Sequence, residues 1–335
     1  MSAHLRLIMN NLPNMKVIGV VMSVFCMMML TWNPESSTPN SRMSYANTRL
    51  KRTLRQCLEY PIELEGTMAL DLENTPDLDL LANHEFTDVK PGGRWQSHKC
   101  IDPLTVLVII PFRDVNGDRT RNLKYLIMQL HYIMQRHMLK YVIVVSQQNG
   151  TEGFINKGLL MNLAYRHISM DQMDEEYGCV VFNDVDLIPV TDQNFYGCDP
   201  DNPKHMSAYV NDKIVTYNRA TGGVLSMPTR VFRAINGFSN KFWGWGNEDD
   251  DMYGRIISEK FTLHRSEPDL GQYLHMPHKR SYNSTGYKPP SGSSYKSDGL
   301  NSLQEVRVKL LETSLLPLYT LLNFAVEQPD SKLKQ

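Results

Sequence analysis

Leu104 to Ile110 reads LTVLVII, an apolar run without the alternation expected of a strand that faces water on one side. A run apolar on both faces suits a strand covered on both faces, as in a parallel sheet. Working outward, Arg121 to His137 places Leu123, Leu126, Ile127, Leu130 and Ile133 on one face of a helix. Tyr141 to Val145 (YVIVV) is a second strand, Ile155 to His167 a second helix, and Cys179 to Phe182 (CVVF) a third strand. This βαβαβ order predicts an α/β fold around an open, mostly parallel sheet. Ligands of such sheets bind beyond the carboxyl ends of the strands. Arg113 and the Asp184-Val185-Asp186 triplet fall there.

In Asp-Val-Asp at a strand end, residues two apart point the same way. Val185 is expected in the core and both carboxylates in the cleft. Two converging carboxylates repel unless a cation joins them, and a hard divalent ion would also neutralise a diphosphate. An isolated Asp-x-Asp is more often a solvated turn, but the apolar strand before it favours a site. Phe242 to Asp251 reads FWGWGNEDDD. Acidic runs are usually solvated faces. Here tryptophans beside glycines offer a platform for a sugar ring, and one acid of the run could act as general base, its pKa raised by crowding. His275-Met276-Pro277-His278 holds two histidines three apart, a spacing that can converge on a metal.

The chain is close to neutral, with 35 Lys and Arg against 36 Asp and Glu, which argues against nucleic acid as a partner. Met15 to Trp32 (MKVIGVVMSVFCMMMLTW) is long enough to approach a membrane span, and Arg6 and Lys16 orient it with the N-terminus in the cytosol. A cleaved signal peptide is the alternative; the long leading tail and the absence of a small-residue cleavage site favour an uncleaved anchor. Residues 33–55 are polar and aperiodic, as a stem linker would be. The expected organisation is therefore a cytosolic tail (1–15), a transmembrane signal-anchor (16–32), a stem (33–55), a lumenal catalytic domain (56–325) and a C-terminal tail (326–335). With Cys26 in the apolar stretch, Cys57, Cys100, Cys179 and Cys198 remain for two lumenal disulfides, in any of three pairings. Sequons at Asn149 and Asn283 agree with a lumenal address.

From about Cys57 to Phe324 the chain resembles the β-1,4-galactosyltransferase family. The motifs are IIPFR (Ile109 to Arg113), NDVDLIP (Asn183 to Pro189), GGV (Gly222 to Val224), NGF (Asn236 to Phe238), WGWGNEDDD, and SDGLNSL (Ser297 to Leu303). The resemblance implies the GT-A nucleotide-sugar-binding fold, a type II Golgi membrane address, Mn²⁺ as cofactor, a UDP-sugar donor and a glycan acceptor. It pairs Cys57 with Cys100 and Cys179 with Cys198. It gives Asp186 and His278 the role of metal ligands, with His275 where the family has methionine; Met276 is the alternative donor. It assigns Arg113, Arg119, Lys157, Asp184 and Trp245 to the donor side. Asp249 takes the catalytic-base position, with Glu248 beside it on the donor sugar; Asp250, Tyr217 and Trp245 face the acceptor. The region before SDGLNSL corresponds to a lid in the family, and its Gly/Pro/Ser composition agrees with mobility.

Two departures bear on substrate. Where the family has an aromatic residue, usually tyrosine, ahead of its Gly-Gly pair, this chain has Ala220. The missing ring opens space near C2 of the donor, so UDP-N-acetylgalactosamine stands beside UDP-galactose as expected donor, unless Thr221 or Met227 refills the gap. The segment before Ser297 also lacks the family's pattern for an acceptor N-acetyl group. Terminal β-GlcNAc is the expected acceptor and a homodimer an open expectation. An inactive sugar-binding protein on the same fold and a nucleotide-sugar hydrolase are the competing readings; the presence of Asp186, His278 and Asp249 argues against the first, and a tryptophan-rich acceptor site against the second.

Overall fold

The computed structural model describes residues 64–100, 103–150, 152–171, 177–215, 217–278 and 294–328, all within the unit Asn47–Gln335. The apolar stretch 15–32, the stem, Cys57, Asn283 and the segment 279–293 lie outside the described residues. Among the described residues no helix is long and apolar enough to cross a membrane.

The chain runs through α1 (Leu78–His84), β1 (Arg94–Gln96), β2 (Thr105–Phe112), α2 (Asp118–Arg136), β3 (Lys140–Gln148), α3 (Lys157–Asp171) and β4 (Cys179–Asn183). Short strands follow: β5 (Leu187–Pro189), β6 (Lys204–His205), β7 (Tyr209–Val210), β8 (Lys213–Ile214) and β9 (Val224–Pro228). Then come α4 (Thr229–Ala234), α5 (Glu248–Ser258), β10 (His264–Arg265), β11 (Gln272–His275), two 3-10 turns, and the hairpin β12 (Val308–Leu315) and β13 (Thr320–Val326). The large sheet has the order β10-β6-β9-β4-β2-β3-β13-β12, with β1 added on β3. Its centre, β4-β2-β3-β13, is parallel throughout, while β9 and β12 join antiparallel. The expected βαβαβ core is therefore present. The β12–β13 hairpin, which extends it on the far side of β3, was not anticipated.

Strand β2 shows why the apolar run decides the fold. Val106 through Ile110 are all fully buried. Val106, Val108 and Ile110 pack with Leu123, Leu126, Leu130 and Ile133 of α2; Leu107 and Ile109 pack on the other face with Leu159, Leu160 and Ala164 of α3. Burying each such side chain contributes roughly 1.5–3 kcal/mol. A charge at Val108 would have no partner there and should unfold this layer. Helix α2 starts at Asp118, earlier than the expected Arg121, because Asp114 caps it: its carboxylate accepts from the Gly117 and Thr120 amides, each at 2.7 Å, and from the Thr120 hydroxyl. At α3, the Asn156 side chain accepts from the Leu159 amide at 2.9 Å.

Candidate active site

Strand β4 delivers Asp184 to the sheet's carboxyl edge, where its amide donates to Gly223 O at 2.9 Å. Val185 turns inward and is 6 % exposed, as the alternation required. The turn is held from beneath: Asn183 Nδ2 donates to Asp184 O and Leu187 O, and Asn183 Oδ1 accepts from the buried Tyr196 hydroxyl at 2.6 Å. The Cys179–Cys198 disulfide, one of the two expected pairs, closes the chain around this strand. Cys100 is disulfide-bonded; its expected partner lies outside the described residues.

Strand β11 pairs antiparallel with β5, setting His275 opposite Leu187, and the Met276 amide donates to Asp186 O at 2.8 Å. This register brings both imidazoles to one carboxylate: Asp186 Oδ2 lies 2.7 Å from His278 Nε2 and 3.3 Å from His275 Nε2. Donor atoms of the three residues lie within 4.8 Å of one another. Burial would raise the Asp186 carboxyl, but hydrogen bonds and charge from His275 and His278 overcome it and hold the group below its ordinary range. Two imidazoles and a carboxylate suit a divalent transition metal. Met276, the alternative donor, is 1 % exposed and packs in the hydrophobic core.

Lys157, the first residue of α3, is the cation of the adjoining cluster. Its ammonium is 2.9 Å from Asp184, 3.6 Å from Glu248 and 3.7 Å from Asp249. Burial disfavours the ammonium, but Asp184, Asp249 and Glu248 outweigh it and hold Lys157 well above its usual value. One cation shared among three carboxylates cannot neutralise them all, and Asp184 is still raised, by burial first and then by Asp186 and Glu248, against Lys157. Asp249 goes further. Burial, opposed by Lys157 and joined by Glu248, Asp184 and Asp250, pushes it up to about 7. Its side chain nonetheless keeps 37 % exposure. Glu248 is less exposed, and its Oε2 has no hydrogen-bond partner. A buried acceptor left without a protein partner is free to take one from outside the chain.

Helix α5 carries these acids in its first turn, where its dipole favours them. The loop before β9 packs against that turn. Thr221 Oγ1 donates to Asp249 O at 2.7 Å, and the Tyr217 hydroxyl donates to Asp250 Oδ1 at 2.5 Å. A Cβ on Gly222 would lie 2.2 Å from Asp249 Oδ2, so the absence of a side chain there lets the Asp249 carboxylate approach. Ala220 is half-buried in the same loop. Of the two neighbours that could refill its space, Thr221 donates its hydroxyl to Asp249 O and Met227 is fully buried in the core.

Trp245 is 63 % exposed beside the acidic turn, as a stacking platform requires, whereas Trp243 is 5 % exposed and buried. Arg113 is 5 % exposed, and its guanidinium donates to the carbonyls of Gly150, Glu152 and Gly153. In this arrangement it secures a loop. Arg119 donates to Arg113 O at 3.4 Å, which joins the two arginines expected on the donor side. Asn149 is exposed at the end of β3. Sequence reading missed His205 and Arg265, which bond to carbonyls distant in sequence that no local pattern signals, and Arg255, whose pairing with Asp251 four residues before it is a helical spacing.

Residues 57–199 match the family model for the N-terminal region of glycosyl transferase group 7, and residues 203–279 that for the N-terminal domain of galactosyltransferase. β-1,4-galactosyltransferase 1 of Mus musculus is 35% identical over 286 residues, covering 83% of this chain and 68% of that protein. β-1,4-galactosyltransferase 2 of Mus musculus is 34% identical, covering 83% and 74%, and β-1,4-galactosyltransferase 6 of Rattus norvegicus 31% identical, covering 79% and 70%. The fold is also that of a mutant Drosophila β-1,4-galactosyltransferase 7 crystallised with manganese, UDP-Gal and xylobiose, at 23% identity and a TM-score of 0.53, covering 68% of this chain and 96% of that one. The motifs and the family matches agree across both halves of the domain: this chain belongs to the β-1,4-galactosyltransferase family.

Proposed function

We propose that the chain is an inverting, metal-dependent glycosyltransferase that moves galactose or N-acetylgalactosamine from a UDP-sugar to a glycan hydroxyl, with terminal β-GlcNAc as the first acceptor to try. The observation that carries this reading is the Lys157-centred carboxylate cluster adjoining the Asp186–His275–His278 triad. Family membership supports it, as do the UDP-Gal, manganese and sugar acceptor bound by the Drosophila relative.

Asp186, His275 and His278 would hold Mn²⁺, which supplies charge to offset the diphosphate as it leaves. Asp249 takes the proton of the acceptor hydroxyl. The acceptor oxygen forms a bond to C1 of the donor sugar as the bond from C1 to the phosphate oxygen breaks, and UDP leaves with that electron pair. One displacement inverts the anomeric centre, so an α-linked donor yields a β-linked product. A general base of this kind typically contributes about 10²–10⁴-fold. Glu248 Oε2 receives a hydrogen bond from a donor-sugar hydroxyl, and Trp245 gives the acceptor ring an apolar face.

The donor is open at one position. Ala220 is small where a tyrosine ring would limit room at C2, which favours UDP-GalNAc at least as well as UDP-Gal. The chain is further proposed to sit in the Golgi membrane through residues 16–32, with residues 56–325 in the lumen. A screen of UDP-sugars against β-GlcNAc and β-Glc acceptors, with and without Mn²⁺, tests the function. We expect Mn²⁺-dependent transfer from UDP-Gal, UDP-GalNAc or both. Release of free sugar without glycan product would favour a hydrolase.

A further inference from the structure

Arg265 lies on β10, the edge strand of the large sheet, outside the metal triad and the acidic turn. Its guanidinium nevertheless reaches the loop that borders both. Nη1 donates to Ala220 O at 3.0 Å and to His205 Nδ1 at 2.7 Å; Nη2 donates to Asn218 O at 2.7 Å and, at 3.5 Å, to Tyr217 O. Because Nδ1 accepts from an arginine, the proton of the neutral imidazole sits on Nε2, which donates to Gly222 O at 2.9 Å. Burial, with the Arg265 charge, lowers His205 to about 4, which keeps it neutral. His205 is itself fixed by its strand, since β6 pairs with β9 and, in parallel, with β10, where its register partner is Arg265.

The other side of the loop is fastened to the chemistry. Tyr217 and Thr221 bond to Asp250 and to the backbone of Asp249, and Gly222 packs directly beneath the Asp249 carboxylate. The loop itself has little regular structure: within it the Ala220 amide donates to Tyr217 O, and Tyr217, Asn218 and Arg219 are exposed. Its shape is set by these two rows of fastenings.

We infer that Arg265 is a positioning residue: with His205 it holds the Tyr217–Gly222 loop in the shape that seats the Asp249 carboxylate and sets the wall at Ala220. The inference rests on the proposed transferase reading for its catalytic consequence, while the clamp stands on the geometry alone. A planar guanidinium spans several carbonyls at once; a lysine ammonium is a single point and cannot hold Ala220, Asn218 and His205 in the same fork. Loss of the clamp should therefore alter turnover and donor choice and leave the metal triad, built on other strands, intact.

The test compares wild type, Arg265→Met and Arg265→Lys by three readouts. These are kcat and KM for UDP-Gal and UDP-GalNAc, Mn²⁺-dependent affinity for UDP, and hydrogen exchange of the peptide covering 217–224. For Arg265→Met we expect kcat to fall about 10–100-fold, as displacement of a reacting group by about an ångström does. UDP affinity should stay within about twofold, the ratio of kcat/KM for the two donors should move by about threefold or more, and exchange should accelerate in that peptide. Arg265→Lys should fall between and serves as the deciding variant if Arg265→Met does not fold. Unchanged exchange in the loop overturns the clamp, and so does a loss of UDP affinity equal to the loss of kcat, which would mark general structural damage. A wild-type protein that transfers no sugar refutes the transferase reading instead, and the exchange comparison then still decides the clamp.

Discussion

Gly222→Ala should disable the enzyme while leaving it folded. A methyl group at this position would stand 2.2 Å from Asp249 Oδ2 and 2.8 Å from the carboxyl carbon, where ordinary contact begins at 3.4 Å. The carboxylate must retreat by about 1.2 Å, from 2.2 to 3.4 Å. It can do so because it is the end of a side chain with 37 % exposure. The structural cost should therefore be small, about 1 kcal/mol or less, compared with roughly 1–3 kcal/mol for overpacking in a closed core. The chemical cost should not be small. A displacement of about an ångström can lower a rate about 10²-fold, equivalent to roughly 2.7 kcal/mol of transition-state stabilisation. The assay pairs kcat/KM for transfer with thermal unfolding and Mn²⁺-dependent UDP binding. We expect a fall of about 100-fold in kcat, UDP binding within about threefold and a melting temperature within a few degrees. Near-normal turnover would refute the claim that Asp249 works from where the structure places it. A large drop in melting temperature with proportionate loss of binding would show that the packing under Gly222 is rigid.

Ala220→Tyr should shift donor preference toward UDP-Gal by excluding the acetamido group, read as the ratio of kcat/KM for the two donors; strict UDP-Gal use by the natural chain, or no shift in the variant, would refute the role given to this position. Arg255 is 2 % exposed, pairs with Asp251 at 2.6 Å and approaches Asp298 at 3.6 Å, so Arg255→Leu should cost about 3–5 kcal/mol by stranding the Asp251 carboxylate and removing the counter-charge of Asp298, and denaturant unfolding showing less than about 1 kcal/mol would contradict this. Burial lowers His131 and His137 to about 4, so in the unfolded chain each binds a proton near pH 6.5 that the folded protein refuses until about pH 4. Their contribution is complete above about pH 6.5 and is lost between about 6.5 and 4, up to about 3 kcal/mol each; urea midpoints should fall across that window and His131→Gln should flatten the slope, while a flat wild-type profile would contradict it.

The parts legible in sequence were those written in local pattern. The run LTVLVII implied a strand buried on both faces, and Val106 to Ile110 are so buried. The alternation in Asp184-Val185-Asp186 placed Val185 inward. The β12–β13 hairpin was harder: Val308 to Leu315 is largely exposed, and its alternation does not report a buried face. Helix α2 began early because Asp114, before the expected start, caps it across a turn. Arg113 shows the limit for site residues. A cation at a strand end suggests a phosphate partner, but its guanidinium meets three backbone carbonyls of a loop about 40 residues away, a pairing that sequence does not display. The supports of the catalytic loop, His205 and Arg265, were hidden for the same reason.

The central claim is that Asp249 acts as the base beside a metal-held UDP-sugar, and Asp249→Asn tests it most directly. The amide keeps the size of the side chain and removes its basicity. Transfer kinetics and Mn²⁺-dependent UDP affinity should be measured on the same preparation. Turnover should fall by about 10²–10⁴-fold with UDP affinity within about threefold of wild type. Turnover near that of wild type, with UDP bound normally, would contradict it.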